Sequence, residues 1–594
     1  MFCKNFAFRM KLQKYAIVAS ITAVNTLLIT TFVVYEHYWY AYLPFLLPAS
    51  LITAFSSLLN ILYKIGRPQP ASLATHRLDP KNYLYVVPCY NESAAELQAS
   101  LHSLMEQRLV KDDNRLILII CDGKVKGTGN TLSTDAILKA LLHTEGEGAY
   151  YDYPTWDGTT NRLCAYQVIY TYKRETVPVI LLIKDRNYGK RDSLVIARRI
   201  CMAFNTVPTE CESYLSHSVA NLATVFTQPI DYIIGIDGDT VFDYNCTYEL
   251  IQGIEEDATI HGCVGFVDVD QQMPAYSPFV LYQYAEYMYA QCLRRQAQCN
   301  ITNKVSCLSG CNQILRVSEE TCGEKILQVF NYKPTDTDNI LTHIRSYASE
   351  DRNHVCNMLS IYPQVKTTQT LKAIAYTVVP MSISVFLSQR RRWNLGANTN
   401  DILLTYLPGI NICERILAFV NVLTFAISPF IYVATIYFIK AIVTGPTMLM
   451  LYLSIILFFP LFYTLLIPLF IKPLAFKATL YYYLAYIFFV TLSGGVSLIC
   501  YLNAILKMDV LTWGKTRTIE TLTEDEGVLR EIVLHMDAPT DETATDDIRE
   551  AGLGVTPDAV IIGADNERRN EERVNMKIEQ KTNDASPVVY YSYL

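Results

Sequence analysis

The sequence predicts an α/β domain, built on a largely parallel sheet, inserted between α-helical membrane segments. Three observations lead there. Long apolar runs sit near both ends of the first 510 residues, and a mixed, charged stretch lies between them. That stretch alternates continuous β-branched strands with polar or helical segments. The chain has 594 residues, 51% of them hydrophobic, which is too long for one ordinary domain and long enough for a sizeable core.

The composition narrows the classes further. A formal net charge of −7 gives no support for nucleic-acid binding. Sixteen cysteines are scattered, mostly in apolar or strand-like runs. Cys307 and Cys311 are four apart with no histidines clustered nearby. These read as reduced thiols in a core rather than as a zinc site or a disulfide framework.

Residues 15–34 and 42–62 are apolar runs of about 20 residues, each enough to cross ~30 Å of hydrocarbon as a helix. The first lacks a clear small-residue cleavage site and a second run follows at once, so it reads as an anchor. Lys4, Arg9, Lys11 and Lys14 precede the first run, and Lys64 and Arg67 follow the second. The intervening EHYWYAY carries neither Lys nor Arg, which puts the N-terminus and the central domain in the cytoplasm. Three later runs cover about 416–443, 448–471 and 475–506. Lys507, Lys515 and Arg517 flank the last one and argue that the tail is also inside. Gly494-Gly495 lies in its middle, so the expectation is a broken, re-entrant or interfacial segment there and four true spans in all. From about Thr518 the tail has charged blocks and few aromatics, and reads as helical near 524–535 and then disordered.

In the central stretch YLYVVP (83–88), RLILIICD (115–122), VPVILLI (177–183) and DYIIGID (231–237) read as buried parallel strands. Ligands bind such sheets at the carboxyl ends of the strands. There the chain places Asn91 and Glu92, then Asp122, then Asp185 to Arg191, then Asp237 and Asp239. Singly, an acidic residue at a strand end is most often a turn or a helix cap. Asp237-Gly238-Asp239 is sharper, because two carboxylates one residue apart can address one hard cation such as Mg2+ or Mn2+ together with diphosphate oxygens. Lys190 and Arg191 either neutralise phosphate or form an exposed basic turn. Glu350-Asp351-Arg352 offers a paired carboxylate suited to a general base, or a salt-bridged helix start. Gln389 to Trp393, QRRRW, is either a basic interfacial anchor or a set of arginine donors for a diphosphate with a tryptophan stacked on a sugar.

The order of the set decides. VPCYNE (87–92), ICDG (120–123), YGKRDS (188–193), DGD (237–239), LSGC (308–311), SEDR (349–352), QRRRW (389–393) and LTWGKTR (511–517) together resemble the family 2 glycosyltransferases that polymerise and export polysaccharides. Within them the chain looks most similar to chitin synthases, on ICDGKVKGTGN (120–130), SQRRRWNLGANTND (388–401) and TWGKTR. DGD stands where DAD is more usual, and the large N-terminal extension of many fungal members is absent.

The resemblance implies an α/β GT-A-like glycosyltransferase domain between transmembrane segments. It divides the chain into 1–66 with two spans, 67–385 as the cytosolic GT-A domain, 386–415 as interface helices, 416–510 as two spans plus a re-entrant or interfacial segment, and 511–594 as the TWGKTR loop and acidic tail. It implies that Tyr90 stacks on uracil, that Glu92 and Asp122 bond base or ribose, and that Lys190 contacts the nucleotide. Asp237 is on the UDP or donor-sugar side, Asp239 binds Mg2+ or Mn2+, and Asp351 is the general base. Gln389 and Arg392 bind the diphosphate, Trp393 cradles the acceptor end, and Trp513 sits in a loop that closes over the nucleotide. The implied reaction is inverting β-1,4 transfer of GlcNAc from UDP-GlcNAc to a growing chitin chain exported across the plasma membrane, with both termini cytosolic. Partners are the nucleotide sugar, the polymer and lipid, without nucleic acid, and a homo-oligomer is compatible with this. A hyaluronan synthase using UDP-glucuronate as well, and a non-catalytic transporter or scaffold, are the competing readings. The sequons at Asn91, Asn245 and Asn300 fall in the cytoplasmic domain, where no glycan is expected.

Overall fold

Strand β1 (Asn82–Cys89) shows why the strands read as unbroken apolar runs: both of its faces are covered. Tyr85 and Val87 enter one core cluster, and Leu84 and Val86 enter a second on the opposite face. In a computed structural model, residues 6–66, 78–144, 146–155, 158–206, 213–270, 272–445 and 447–510 are described, with the backbone of 519–520. They belong to one compact unit, Met1–Thr521.

β1 pairs in parallel with β2 (Asn114–Cys121) on one side and with β7 (Tyr232–Gly235) on the other, and β2 pairs in parallel with β6 (Glu175–Lys184). The four sequence-predicted strands are therefore the middle of the sheet. The sheet as a whole is mixed and ten-stranded, which corrects the largely parallel expectation. β3 (Lys126–Gly127) stands apart from it, while β4 (Ala149–Pro154) and β5 (Thr160–Tyr172) extend it antiparallel beyond β6. Only Lys173 and Arg174 separate β5 from β6, and a connection that short forces an antiparallel hairpin. Past β7 come β10 (Gln313–Arg316), antiparallel to β7 and to β9 (Ile260–Val269), then β11 (Lys366–Thr377), parallel to β9, and β8 (Thr240–Phe242) at the edge. β12 (Ile519–Glu520) pairs with β3, which returns the chain after residues 511–518 to the ICDGKVKGTGN segment.

Helices α3 (Ala94–Met105), α4 (Thr134–Leu141), α5 (Lys190–Thr206), α6 (Ser213–Ala223) and α7 (Cys246–Glu255) cover the sheet. α3 begins with a capping box between Ser93 and Glu96, which ends the loop after β1 abruptly. α8 (Pro278–Tyr289) and α9 (Gln296–Thr302) are joined by a π-helical turn, Ala290–Arg295. α10 (Glu319–Cys322), α11 (Glu324–Phe330), α12 (Ile340–Ala348) and α13 (Glu350–Ile361) then lead to the long α14 (Ile383–Tyr406), which carries QRRRW.

The membrane-type helices are α1 (Phe6–Val34), α2 (Leu43–Gly66), α15 (Ile412–Ala426), α16 (Ser428–Thr444), α17 (Met448–Leu466) and α18 (Phe476–Leu506). By length and composition, Phe6–Val34, Glu36–Gly66, Met448–Ile471 and Phe476–Leu506 could each cross a membrane. Two expectations change. The run at 416–443 is not one rod, because α15 and α16 meet at 79°. Pro429, in the first turn of α16, has no N–H to carry the α15 hydrogen-bond ladder onward, and the run breaks at Ile427. Conversely α18 passes unbroken through Gly494 and Gly495. In apolar surroundings a freed peptide group has no water to bond, so the helix keeps its ladder despite the glycines.

Packing distinguishes these helices further. The α1–α16 contacts advance together from Asn25 at Phe430 to Phe32 at Tyr437, so the two run side by side in the same direction. α2 and α17 meet the α/β domain with their later ends. Asn60 donates to the carbonyl of Leu293, and the Tyr463 hydroxyl donates to that of Cys292. α18 touches the domain near both ends. The Tyr481 hydroxyl donates to Ala275 O at 2.7 Å, and Asn503 Nδ2 donates to Leu387 O at 3.0 Å.

Asn25 explains how the kinked junction survives. Its side chain donates to Ala426 O at 2.8 Å and accepts from Phe430 N at 3.0 Å, satisfying backbone groups that the α15–α16 break frees. Replacing it (Asn25→Ala) should destabilise the protein by about 1 kcal/mol. A lowered unfolding temperature in detergent is the expected readout, and an unchanged one would show that the junction holds without this cap.

Candidate active site

The loops at the carboxyl ends of β1, β2, β6 and β7 open on one side of the sheet, and Tyr90, Glu92, Asp122, Lys190, Asp237, Asp239 and Asp351 gather there. At the β2 end Asp122 is buried. Its Oδ1 accepts from Lys184 Nζ and from Tyr188 N, each at 3.0 Å. Lys184 is fully buried and also pairs with Asp192 at 2.8 Å, so one cation locks the β2 and β6 ends to the start of α5. Gly123 adopts φ +92° with Asn187 N close behind it, a position an added Cβ would crowd. Tyr90 hydrogen-bonds the Asn187 side chain. Glu92 folds back on its own loop, accepting from Tyr90 N at 2.6 Å and Asn91 N at 3.1 Å, and its stem lies against Gly238. Burial raises its carboxyl to about 7, opposed by the Tyr90 N–H and reinforced by Asp239.

Lys190, at the first position of α5, is the centre. Its Nζ is 2.6 Å from Asp237 Oδ1 and 4.0 Å from Glu350 Oε1. It therefore joins the β7 end to the start of α13. Its neighbour Arg191 does neither of the things the sequence suggested. It is buried, donating to Phe330 O, Arg345 O and Asn353 Oδ1, because a side chain one position along α5 points about 100° away, into the fold. Burial pulls its guanidinium down to about 10.

Asp351 lies in the first turn of α13. Its Oδ2 accepts from Gly310 N at 2.9 Å. Its Oδ1 is shielded from solvent and has no hydrogen-bond partner among the described residues. Burial raises the carboxyl to about 6, with Lys190 opposing and Glu350 and Asp237 adding to the shift. Glu350 and Arg352 do different work. Arg352 turns away to Asp401 at 2.6 Å, tying α13 to α14. Gly396 of α14 presses on Ser349, where an added Cβ would come within 2.4 Å of the serine Cβ.

QRRRW is helical, so its three arginines cannot form one grip. Arg390 pairs with Glu286 of α8, donates to Gln389 Oε1 at 2.7 Å and lies 4.1 Å from the Trp393 ring. Arg391 is buried towards Asp509. Arg392 alone of the three faces the acidic cluster, where Glu350 partly offsets the lowering that burial imposes on it. Trp393 is 43% exposed beside Tyr287. Trp513, with the rest of TWGKTR and the tail, lies outside the described residues.

Asp239 is raised to about 6 by burial, then by Asp237 and Glu96. No group of three or more ligating side chains converges among the described residues. A Mg2+-type ion asks for less, one or two carboxylates with substrate phosphates completing the shell, so this donor set fits. Sequence reasoning missed Lys184, Glu286 and the contact of Gly310 with Asp351. A lysine closing a buried strand is a readable signal for the first. Nothing local marks the other two.

A sequence-family model for chitin synthase matches residues 60–543. Chitin synthase 8 of Gibberella zeae is 32% identical over 544 residues, covering 87% of this chain and 80% of the relative. Chitin synthase 8 of Verticillium dahliae is 32% identical over 475 residues, covering 73% and 76%. The chain belongs to the chitin synthase family. As a member of that family it is a glycosyltransferase, built on the mixed α/β sheet core described above, and neither the family match nor these relatives support a hyaluronan synthase. A solved mannosyltransferase from Pyrobaculum calidifontis, in complex with GDP-Man and Mn2+, covers 75% of this chain and 98% of its own at 13% identity and a TM-score of 0.36, too distant to transfer a ligand.

For a chitin synthase relying on Asp351 as base, kcat/KM should fall as pH drops through about 6, because the working form is deprotonated and its carboxyl is raised to that value. Glu350→Gln removes a charge that raises Asp351, so it should move the acid limb to lower pH, as a pH–rate profile would read directly. A methyl at Gly310 would stand 2.7 Å from Asp351 Oδ1. Gly310→Ala should therefore cost about a hundred-fold in kcat with the melting temperature nearly unchanged. Near-wild-type turnover would show that this loop does not set the base.

Proposed function

We propose that the chain is a processive, inverting transferase that adds GlcNAc from UDP-GlcNAc to the 4-hydroxyl of a growing β-1,4-linked chain and passes the polymer across the plasma membrane. The observation that carries this is Asp351, whose buried, unpartnered Oδ1 and carboxyl raised to about 6 lie beside Lys190 and Asp237. Asp351 takes the proton of the acceptor hydroxyl as its oxygen attacks C1 of the donor, and UDP leaves. Tyr90, Glu92 and Asp122 hold the uridine end, and Lys190 and Asp237 the donor end. Arg392 and Gln389 stand at the diphosphate, where negative charge develops and preorganised donors help most. Asp239 would hold a Mg2+ or Mn2+ ion, which supplies charge neutralisation for the leaving diphosphate. Trp393 seats the acceptor end, and Trp513 belongs to a loop that closes over the nucleotide.

The packing supports four spans, α1, α2, α16 and α17. α1 and α16 leave the catalytic side together, and α2 and α17 return to it. α18 is long enough to span, yet both of its ends bond to the catalytic side, so it lies along the interface as one continuous helix. The catalytic domain and both termini are then cytosolic.

Purified protein given UDP-GlcNAc and a divalent cation, without a second nucleotide sugar, should form an insoluble product that chitinase dissolves. Asp351→Asn should reduce the yield by about a thousand-fold. A requirement for UDP-glucuronate, or equal yield from Asp351→Asn, would overturn the assignment.

A further inference from the structure

Arg390 is the best-bonded residue of QRRRW, and its bonds do not point at the donor. Its Nε donates to Glu286 Oε1 at 3.2 Å and its second guanidinium nitrogen donates to Glu286 Oε2, a two-point pair across α8 and α14. The third nitrogen donates to Gln389 Oε1, and the Tyr287 side chain also bonds the guanidinium. The group is sealed, only 4% exposed. Its central carbon lies over two aromatic rings, 4.7 Å from the centroid of Phe386 and 4.1 Å from that of Trp393. Residues 386, 390 and 393 follow helical spacing along one side of α14, so they form a stack of ring, cation and ring. Tyr287 approaches Trp393 from α8 with ring centroids 6.2 Å apart. Trp393, uniquely in this stack, keeps a large free surface.

A guanidinium bonded at all three nitrogens and sealed from solvent is committed to its protein partners rather than to a phosphate. A planar cation against one face of an indole instead fixes the ring's tilt and leaves its remaining surface as a rigid platform. The planar, two-point pair with Glu286 in turn fixes the guanidinium. We infer that Glu286, acting through Arg390, is a positioning residue that sets the Trp393 platform for the acceptor sugar. This rests on the proposed function, in which Trp393 seats the acceptor end. It assigns a role to a glutamate on α8, over a hundred residues before QRRRW, which touches neither nucleotide nor base.

The test is steady-state kinetics on the full-length enzyme, with N,N′-diacetylchitobiose as soluble acceptor and UDP-GlcNAc as donor. Glu286→Gln should raise the acceptor KM about five-fold and leave the donor KM within about two-fold. Glu286→Asp, which keeps the charge, should recover part of the loss. If Glu286→Gln does not yield folded protein, Arg390→Lys reads the same split, since it keeps a cation and loses the planar two-point pair. A fall in kcat with both KM values unchanged, a parallel rise in both, or no change would each overturn the inference. Trp393→Ala, measured alongside, separates the two levels. If it raises the acceptor KM while Glu286→Gln does not, the platform stands and only the role of Glu286 fails. If it leaves the acceptor KM unchanged, the acceptor assignment of Trp393 fails and the inference fails with it.

Discussion

The cleft depends on one lysine. Lys190 stands among Asp237, Glu350 and Asp351, three carboxylates delivered by two elements far apart in sequence. Without a cation between them, the β7 end and the start of α13 would repel at close range in poorly solvated surroundings. With it, the β7 loop and α13 are held face to face. The lysine is itself perturbed in the corresponding sense. Burial works against its charge, yet the carboxylates around it hold it well above the usual lysine range. Lys190 thus stays charged, whereas Asp351 and Asp239 are raised towards neutrality. The cluster holds one permanent cation beside two carboxylates that titrate near neutrality.

How far the sequence exposed this arrangement follows from the range of the forces involved. β1, β2, β6 and β7 were legible because burial on both faces leaves an unbroken apolar run, and the acidic residues at their ends followed from the geometry of parallel strands. β10 and β8 were not read, since they are only four and three residues long and carry little pattern. Lys190 and Arg191 show the same limit at the site. Adjacent in sequence and alike in charge, they are separated by a helical step that sends one to Asp237 and the other into the backbone carbonyls behind it. The contact of Gly310 with Asp351 spans 41 positions, and the pair of Glu286 with Arg390 spans 104. Such pairings are set by tertiary packing and leave no local trace.

The same reasoning explains why QRRRW signals more than it does. Read as a string it is a patch of positive charge. Wound into α14 it becomes three unrelated arginines, one stacked behind Trp393, one buried towards Asp509 and one facing Glu350. Successive side chains on a helix cannot share a target. The three arginines therefore meet three different surroundings where α14 packs on its neighbours.

That crossing ties chemistry to the membrane. Arg352 and Asp401 join α13 to α14, and Gly396 lets α14 lie directly on Ser349, immediately before the turn that carries Asp351. Leu395, on the next face, packs with Met10 of α1 and with Tyr501 and Ile505 of α18. Lys14 of α1 closes the same corner by pairing with Asp509 at 2.8 Å. A shift of α1 or α18 would therefore be transmitted through α14 to the turn that holds Asp351, because close-packed contacts of this kind do not deform smoothly. Trp393 and Asp351 sit on elements fastened to each other and to α1 and α18, so neither residue moves independently of those helices.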